Sequence, residues 1–131
     1  DPACEAGVIA IFLGKFLKGE TPNINGDGEQ TRDYVYVGDV AEANLISLTK
    51  ETKNKIFNIG IGRPASVNEI TKMLQKFIST EIEPTHGPPV PGEVRDIHLD
   101  VSLAEKELGW TPKTELENGM EKTVEWTKKS Q

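Results

Sequence analysis

The chain has 131 residues, 36% hydrophobic and 27% charged, with a formal net charge of −6. Such a composition suits a folded domain that buries about two-thirds of its unfolded surface, and it excludes a disordered chain. The acidic balance (pI ≈ 5.0) argues against nucleic acid as the main partner, and the longest apolar run, Ala6 to Leu13, is too short to cross a bilayer.

Helix and strand signals alternate along the chain. Ala6 to Lys18 places Val8, Ile9, Phe12 and Phe16 on one helical face, and Gly19 stands where that helix stops. Pro22 to Asn25 reads as a short extended piece ended by the Asn-Gly and Asp-Gly turn signals. Arg32 to Val37 alternates like a strand. Asp39 is placed to cap a second helix, with Val40, Ala41, Ala43, Leu45 and Leu48 available to a core. Lys55 to Gly60 is a short apolar run ending in glycine, a buried-strand signal.

Ser66-Val67-Asn68-Glu69 forms a capping box, in which hydroxyl and carboxylate each satisfy a backbone amide of the other residue. The helix behind it carries Val67, Ile70, Leu74, Phe77 and Ile78 on one side. Pro84 to Gly92 holds four prolines and excludes regular helix. Two helices close the chain: Leu103 to Leu108, stopped by Gly109, and Thr114 to Lys128, opened by a second capping box of Thr114 and Glu117. The fold class is therefore α/β, with many helices and few short strands. No internal repeat or domain boundary is visible, so residues 1–131 are expected to form a single domain.

All three arginines, Arg32, Arg63 and Arg95, fall outside the expected helices and near glycine or proline. Helices accept arginine and lysine about equally, so propensity does not explain this sorting. A planar guanidinium forks onto phosphate or carboxylate oxygens, and neighbouring glycines let backbone amides approach the same anion. Arg32 either holds a phosphate at the mouth of a cleft or pairs with Asp27, Glu29 or Asp33 to tie its loop down.

Gly60-Ile61-Gly62-Arg63-Pro64-Ala65 matches the G-x-G-x-x-G/A pattern of dinucleotide-binding loops. Two features oppose that reading. Ser66 is the helix cap, so every glycine precedes the helix, and Pro64 removes an amide donor from the stretch that should cradle pyrophosphate. A plain loop is the expectation. His86 and His98 lack metal-ligand spacing, and neither Tyr34 nor Tyr36 begins a Tyr-x-x-x-Lys pair. The lone cysteine, Cys4, excludes an internal disulfide and fits a reducing, cytoplasmic setting. Trp110 and Trp126 read as core plugs. The chain begins Asp1-Pro2 without an initiator methionine, which suits a processed chain or an excerpt.

Four motifs in order, "GEQTRDYVYVGDVAEA", "FNIGIG" followed by "SVNEI", "PGEVRD" and "LGWTPKTELENGMEKTVEW", resemble the C-terminal part of the extended short-chain dehydrogenase/reductase family, most closely its UDP-glucose 4-epimerase branch. The resemblance implies a UDP-hexose-binding portion that lacks most of the Rossmann sheet. It implies that Arg32 contacts the substrate pyrophosphate. It also implies that Pro22, Asn23 and Ile24 line the uracil, that Gly7 and Val8 begin the helix over the nucleotide, that Asn58 reaches the phosphate and that Glu93 hydrogen-bonds the ribose. Many relatives carry a phosphate-binding arginine where this chain has Val90, a role Arg95 would have to take.

Family members also carry a glycine-rich NAD loop and a Tyr-x-x-x-Lys catalytic pair in an N-terminal half, and neither occurs here. The resemblance thus implies NAD as cofactor of the parent, with no catalytic, cofactor-binding or metal-binding residue in this chain. It implies two partners, a UDP-sugar and the NAD-binding half; the "FNIG" strand, without its sheet neighbours, exposes unpaired backbone and is expected to self-associate with a second copy. Taken alone, the chain should be inactive. The alternatives are a portion of a nucleotide-sugar 4,6-dehydratase or decarboxylase, and a stand-alone nucleotide-binding module.

Overall fold

The computed structural model describes residues 7–130, which form, in chain order, α1 (Val8–Leu17), β1 (Asn23–Asn25), β2 (Thr31–Asp33), α2 (Val37–Thr49), β3 (Pro64–Ser66), α3 (Val67–Ile78), β4 (Thr85–Gly87), α4 (Ser102–Leu108) and α5 (Leu116–Ser130). The expectation for Cys4 lies outside the described residues. The fold is mixed α/β, with helices dominating and every strand three residues long. The described residues divide into two compact units interleaved in sequence, so no single cut of the chain separates them: residues 7–30, 66–95 and 120–130, and residues 31–65 and 96–119.

In the first unit α1 packs on α3. The buried face of α1 is Phe12, Leu13 and Phe16, and that of α3 is Val67, Ile70, Thr71 and Leu74. Each of these large apolar side chains contributes roughly 1.5–3 kcal/mol when fully buried. Thr71 satisfies its own hydroxyl by donating to Val67 O at 2.7 Å. The capping box forms as the sequence requires: Ser66 Oγ accepts the Glu69 amide at 3.1 Å, and Glu69 Oε2 accepts the Ser66 amide at 2.7 Å. Ser79, in the left-handed region at φ 62°, ends the helix.

The proline-rich stretch contains a strand the sequence did not announce. β4 pairs in parallel with β1, in the register Asn23–Thr85, Ile24–His86 and Asn25–Gly87. Pro84 and Pro88 flank β4, so its ladder keeps its amide donors. Ile24, 1% exposed, anchors β1 to the interior, and α5 contributes Met120 and Val124 to the same unit's core.

In the second unit β2 and β3 form a two-stranded sheet, and Ala43, Ala104, Leu108 and Trp110 form the core, with Ile46, Phe57 and Ile59 packed against them. Trp110 is a core plug as expected, and its Nε1 donates to Asp39 O at 2.9 Å. Trp126 is not: on α5 it is 69% exposed.

Other expectations shift. The strand expected over Arg32 to Val37 ends at Asp33, because alternation reports two faces and does not supply a pairing partner. Tyr36 is the N-cap of α2 and contributes no side-chain cap. Asp39 lies inside the first turn, buried, with its carboxylate accepting from the Lys113 and Thr114 amides at 3.2 and 2.9 Å. Leu45 and Leu48 of α2 are exposed, and the core takes Ala43 instead. Lys55 to Gly60 is irregular and not a strand; Phe57 and Ile59 are half-buried while Ile56 is 85% exposed. α4 stops at Gly109 as its sequence requires. α5 begins at Leu116, and the Thr114 hydroxyl donates to Asp39 Oδ1 at 3.2 Å.

Candidate functional site

The loop Gly26–Gln30 forms one wall of the candidate site in the first unit. Gly26 and Gly28 sit at φ +71° and +77°, where a side chain is strained. Asp27 Oδ1 accepts the Glu29 amide at 3.0 Å, an Asx turn. Asn68, in the first turn of α3, donates from Nδ2 to Asp27 O at 3.0 Å and from its amide to Gly28 O at 3.0 Å, and its side chain also meets the Glu29 carboxylate. Gln30, 8% exposed, donates from Nε2 to Asn25 O at 3.0 Å. The helix start and the loop therefore hold each other in place.

The segment after β4 forms the opposite wall. A turn closes with the Glu93 amide donating to Val90 O at 3.2 Å. Arg95 then forks onto Asp27, from Nη1 to Oδ1 at 3.1 Å and from Nη2 to Oδ2 at 2.9 Å. The Arg95 guanidinium, with the Glu29 amide, holds the Asp27 carboxyl below its ordinary value.

Between these walls lies a cavity of about 330 Å³ lined by Asn25, Asp27, Gln30, Val90, Glu93 and Arg95, with Gly26 and Pro89 at its edge. A second cavity of about 200 Å³ shares Asn25, Gln30 and Glu93 with it and adds Val8, Asn23, Ile24 and Val67. Five of the nine residues nominated from sequence thus meet in these two spaces: Val8, Asn23, Ile24, Glu93 and Arg95. Gly7 caps α1 beside Val8, and Pro22 is fully buried, its carbonyl accepting the Thr85 amide at 3.0 Å. The sequence reading missed Asn25, Asp27 and Gln30 as wall residues. The only available signal was the density of turn formers around them.

Arg32 and Asn58 belong to the second unit. Arg32 sits in β2, and its Nη1 donates to Thr31 O at 2.7 Å. Asn58 Nδ2 donates to Asp100 O at 3.3 Å. Close by in sequence, the Tyr34 hydroxyl is buried without a hydrogen-bond partner, and desolvation raises its pKa despite an opposing pull from Arg32.

The Gly60–Ala65 loop does not fit NAD. Its amides at Ile61 and Gly62 donate to the two oxygens of the Asp33 carboxylate, at 2.7 and 2.9 Å. A pyrophosphate there would meet a fixed negative charge where it needs donors. A Cβ on Gly60 would lie 2.9 Å from Asp33 Oδ2, so the glycine makes room for an internal carboxylate and not for a ligand. Among the described residues no cluster of three His, Cys, Asp or Glu could hold a metal ion, and no helix is long and apolar enough to cross a membrane.

Comparison with known proteins adds an independent line. Residues 1–60 match the model of the NAD dependent epimerase/dehydratase family. A UDP-glucose 4-epimerase of Mycolicibacterium smegmatis is 40% identical over 126 residues, 96% of this chain and 40% of that protein. The crystal structure of the Thermotoga maritima UDP-glucose 4-epimerase with UDP-glucose superposes with a TM-score of 0.92 at 48% identity, over 99% of this chain and 42% of that one. A mutant UDP-glucuronic acid 4-epimerase from Bacillus cereus, in complex with UDP-4-deoxy-4-fluoro-glucuronic acid and NAD, superposes with a TM-score of 0.87 at 27% identity, over 95% of this chain and 40% of that one. The chain spans about two-fifths of the length of the relatives it matches.

Proposed function

We propose that this chain is the C-terminal, substrate-binding portion of a member of the NAD-dependent epimerase/dehydratase family and holds the nucleoside diphosphate of a UDP-hexose. The observation that carries this reading is the meeting of Val8, Asn23, Ile24, Glu93 and Arg95 around two cavities with shared walls. A uracil lies against the backbone of Asn23 and Ile24, and the Glu93 carboxylate accepts from a ribose hydroxyl. Arg95 forks onto phosphate oxygens in the place of the arginine that many relatives carry at the position of Val90. Arg32 and Asn58, also proposed as phosphate ligands, rest on their motifs alone.

The chemistry belongs to a dinucleotide-binding half, in which bound NAD would supply hydride transfer. This chain contributes remote binding energy that places the reacting sugar carbon, and alone it is inactive. Exposed Val37, Leu45 and Leu48 on α2, together with Ile56, support an apolar face that such a half covers, with self-association as the outcome when it does not.

The test is calorimetric titration of the 131-residue chain with UDP. Binding is expected, and Arg95→Ala should weaken it by about tenfold or more, the loss of one charge-assisted contact of about 1.5–3 kcal/mol. A flat titration with the unaltered chain rejects the reading. Conversion of UDP-galactose to UDP-glucose by these residues with added NAD would reject the division of labour.

A further inference from the structure

Asp27 and Arg95 meet in the lining of the cavity of about 330 Å³, and their bond has the geometry a phosphate would need. Both terminal nitrogens of Arg95 point at one planar anion, at 3.1 and 2.9 Å. That anion is the protein's own carboxylate. Building on the diphosphate reading above, we propose that Asp27 is a competitor built into the site: it occupies the guanidinium fork that an anionic ligand requires, so such a ligand binds only by displacing it.

The two partners are held very differently. Asp27 is fixed from three sides: its Oδ1 accepts the Glu29 amide at 3.0 Å, its carbonyl accepts Asn68 Nδ2 at 3.0 Å, and it stands between two glycines with positive φ. Arg95 reaches it on a long stem from an exposed stretch that follows the Gly92 turn. When a ligand takes the fork, the bond to Asp27 breaks while the contacts of Asp27 to Glu29 and Asn68 can persist. The pair itself is wet, with side chains 59% and 56% exposed. An exposed pair shifts an equilibrium by no more than about fivefold, weak enough for a doubly charged diphosphate to displace.

Asp27 stays on the wall of the cavity that Glu93 also lines, and what it costs a ligand is the guanidinium fork it holds. Asp27 therefore sets the threshold of negative charge that a ligand must carry. The competing idea is that Asp27 only positions Arg95 for the ligand, and the two ideas differ in sign.

Asp27→Asn separates them. An asparagine oxygen keeps the Asx turn to Glu29 and the side-chain shape, while removing the charge. UDP and, separately, inorganic pyrophosphate are titrated into the unaltered chain, Asp27→Asn, Arg95→Ala and the double variant, with circular dichroism checking that each is folded. The expected result is a gain in affinity of about two- to fivefold for Asp27→Asn, absent in the Arg95→Ala background and smaller at high salt. Unchanged or weaker binding by Asp27→Asn overturns the proposal, even if UDP binds and the functional reading stands. If UDP fails to bind while pyrophosphate shows the gain, the functional reading falls and the competitor stands. If no form binds either probe, both fall.

Discussion

Asp33 Oδ2 accepts the amide of Gly62 at 2.9 Å, and the same carboxylate accepts the amides of Ile61 at 2.7 Å and Leu99 at 3.2 Å. One side chain from β2 thus fastens two loops that lie 28 and 66 residues further along. Replacing it by alanine leaves three half-buried donors short of an acceptor. The expected cost is about 2–4 kcal/mol, since a hydrogen bond to a charged group contributes about 1.5–3 kcal/mol. Asp33→Asn retains part of the acceptor capacity and should fall between. Urea denaturation followed by circular dichroism measures both, and a loss under about 0.5 kcal/mol for Asp33→Ala would contradict the clamp.

Gly28 is constrained twice. It sits at φ +77°, and a Cβ there would lie 2.2 Å from Asn68 Oδ1. Gly28→Ala must push the Asn68 side chain away from Asp27 O and bear left-handed strain of about 1–2 kcal/mol. A destabilisation of about 1–3 kcal/mol is expected, together with weaker UDP binding, because the loop it distorts is a wall of the cavity. Unchanged melting and unchanged binding would show that the loop does not depend on this contact.

The two tryptophans should behave oppositely. Trp110 is 1% exposed and hydrogen-bonded, so Trp110→Ala is expected to cost about 3–5 kcal/mol. Trp126 is 69% exposed, so Trp126→Ala should stay within about 0.5 kcal/mol. Paired denaturation curves decide this. Equal losses would place Trp126 in a core that the described residues do not show.

Tyr34 carries a buried hydroxyl without a partner, so Tyr34→Phe should be neutral or stabilising by up to about 1 kcal/mol. The same burial gives an alkaline signature. Desolvation raises the folded-state pKa above 10.0, so the folded state favours the neutral phenol. The contribution is intact below pH 10.0 and is lost as pH rises through the folded value, where the unfolded chain ionises first. Unfolding curves between pH 9 and pH 11 should show Tyr34→Phe losing less stability than the parent. Parallel curves would remove Tyr34 as the cause.

The local signals held where the cause lies within a few residues. The Ser66–Glu69 capping box, the glycine stop after Leu108 and the helical face of Phe12 and Phe16 are all short-range, and all appear as the sequence requires. At Gly60–Ala65 the features that oppose a dinucleotide loop, Pro64 and the cap at Ser66, are equally local. What was misread depended on distant partners. Asp39 satisfies amides 74 and 75 residues away instead of capping its own helix, and the apolar face of α2 shows only Ala43 fully buried.

In the candidate site, sequence singled out Glu93 and Arg95 as polar groups but could not say that a loop 68 residues earlier in the chain would present Asp27 to the arginine. A guanidinium binds whichever anion the fold brings within reach, and composition does not record which one that is. The chain by itself determined the capping box that opens α3 and the glycine that stops α4, because backbone propensity and capping act over one or two turns. The tertiary structure alone decided which strands pair, which tryptophan is covered and which carboxylate meets which cation, because those choices depend on chain segments that are remote in sequence and adjacent only after folding.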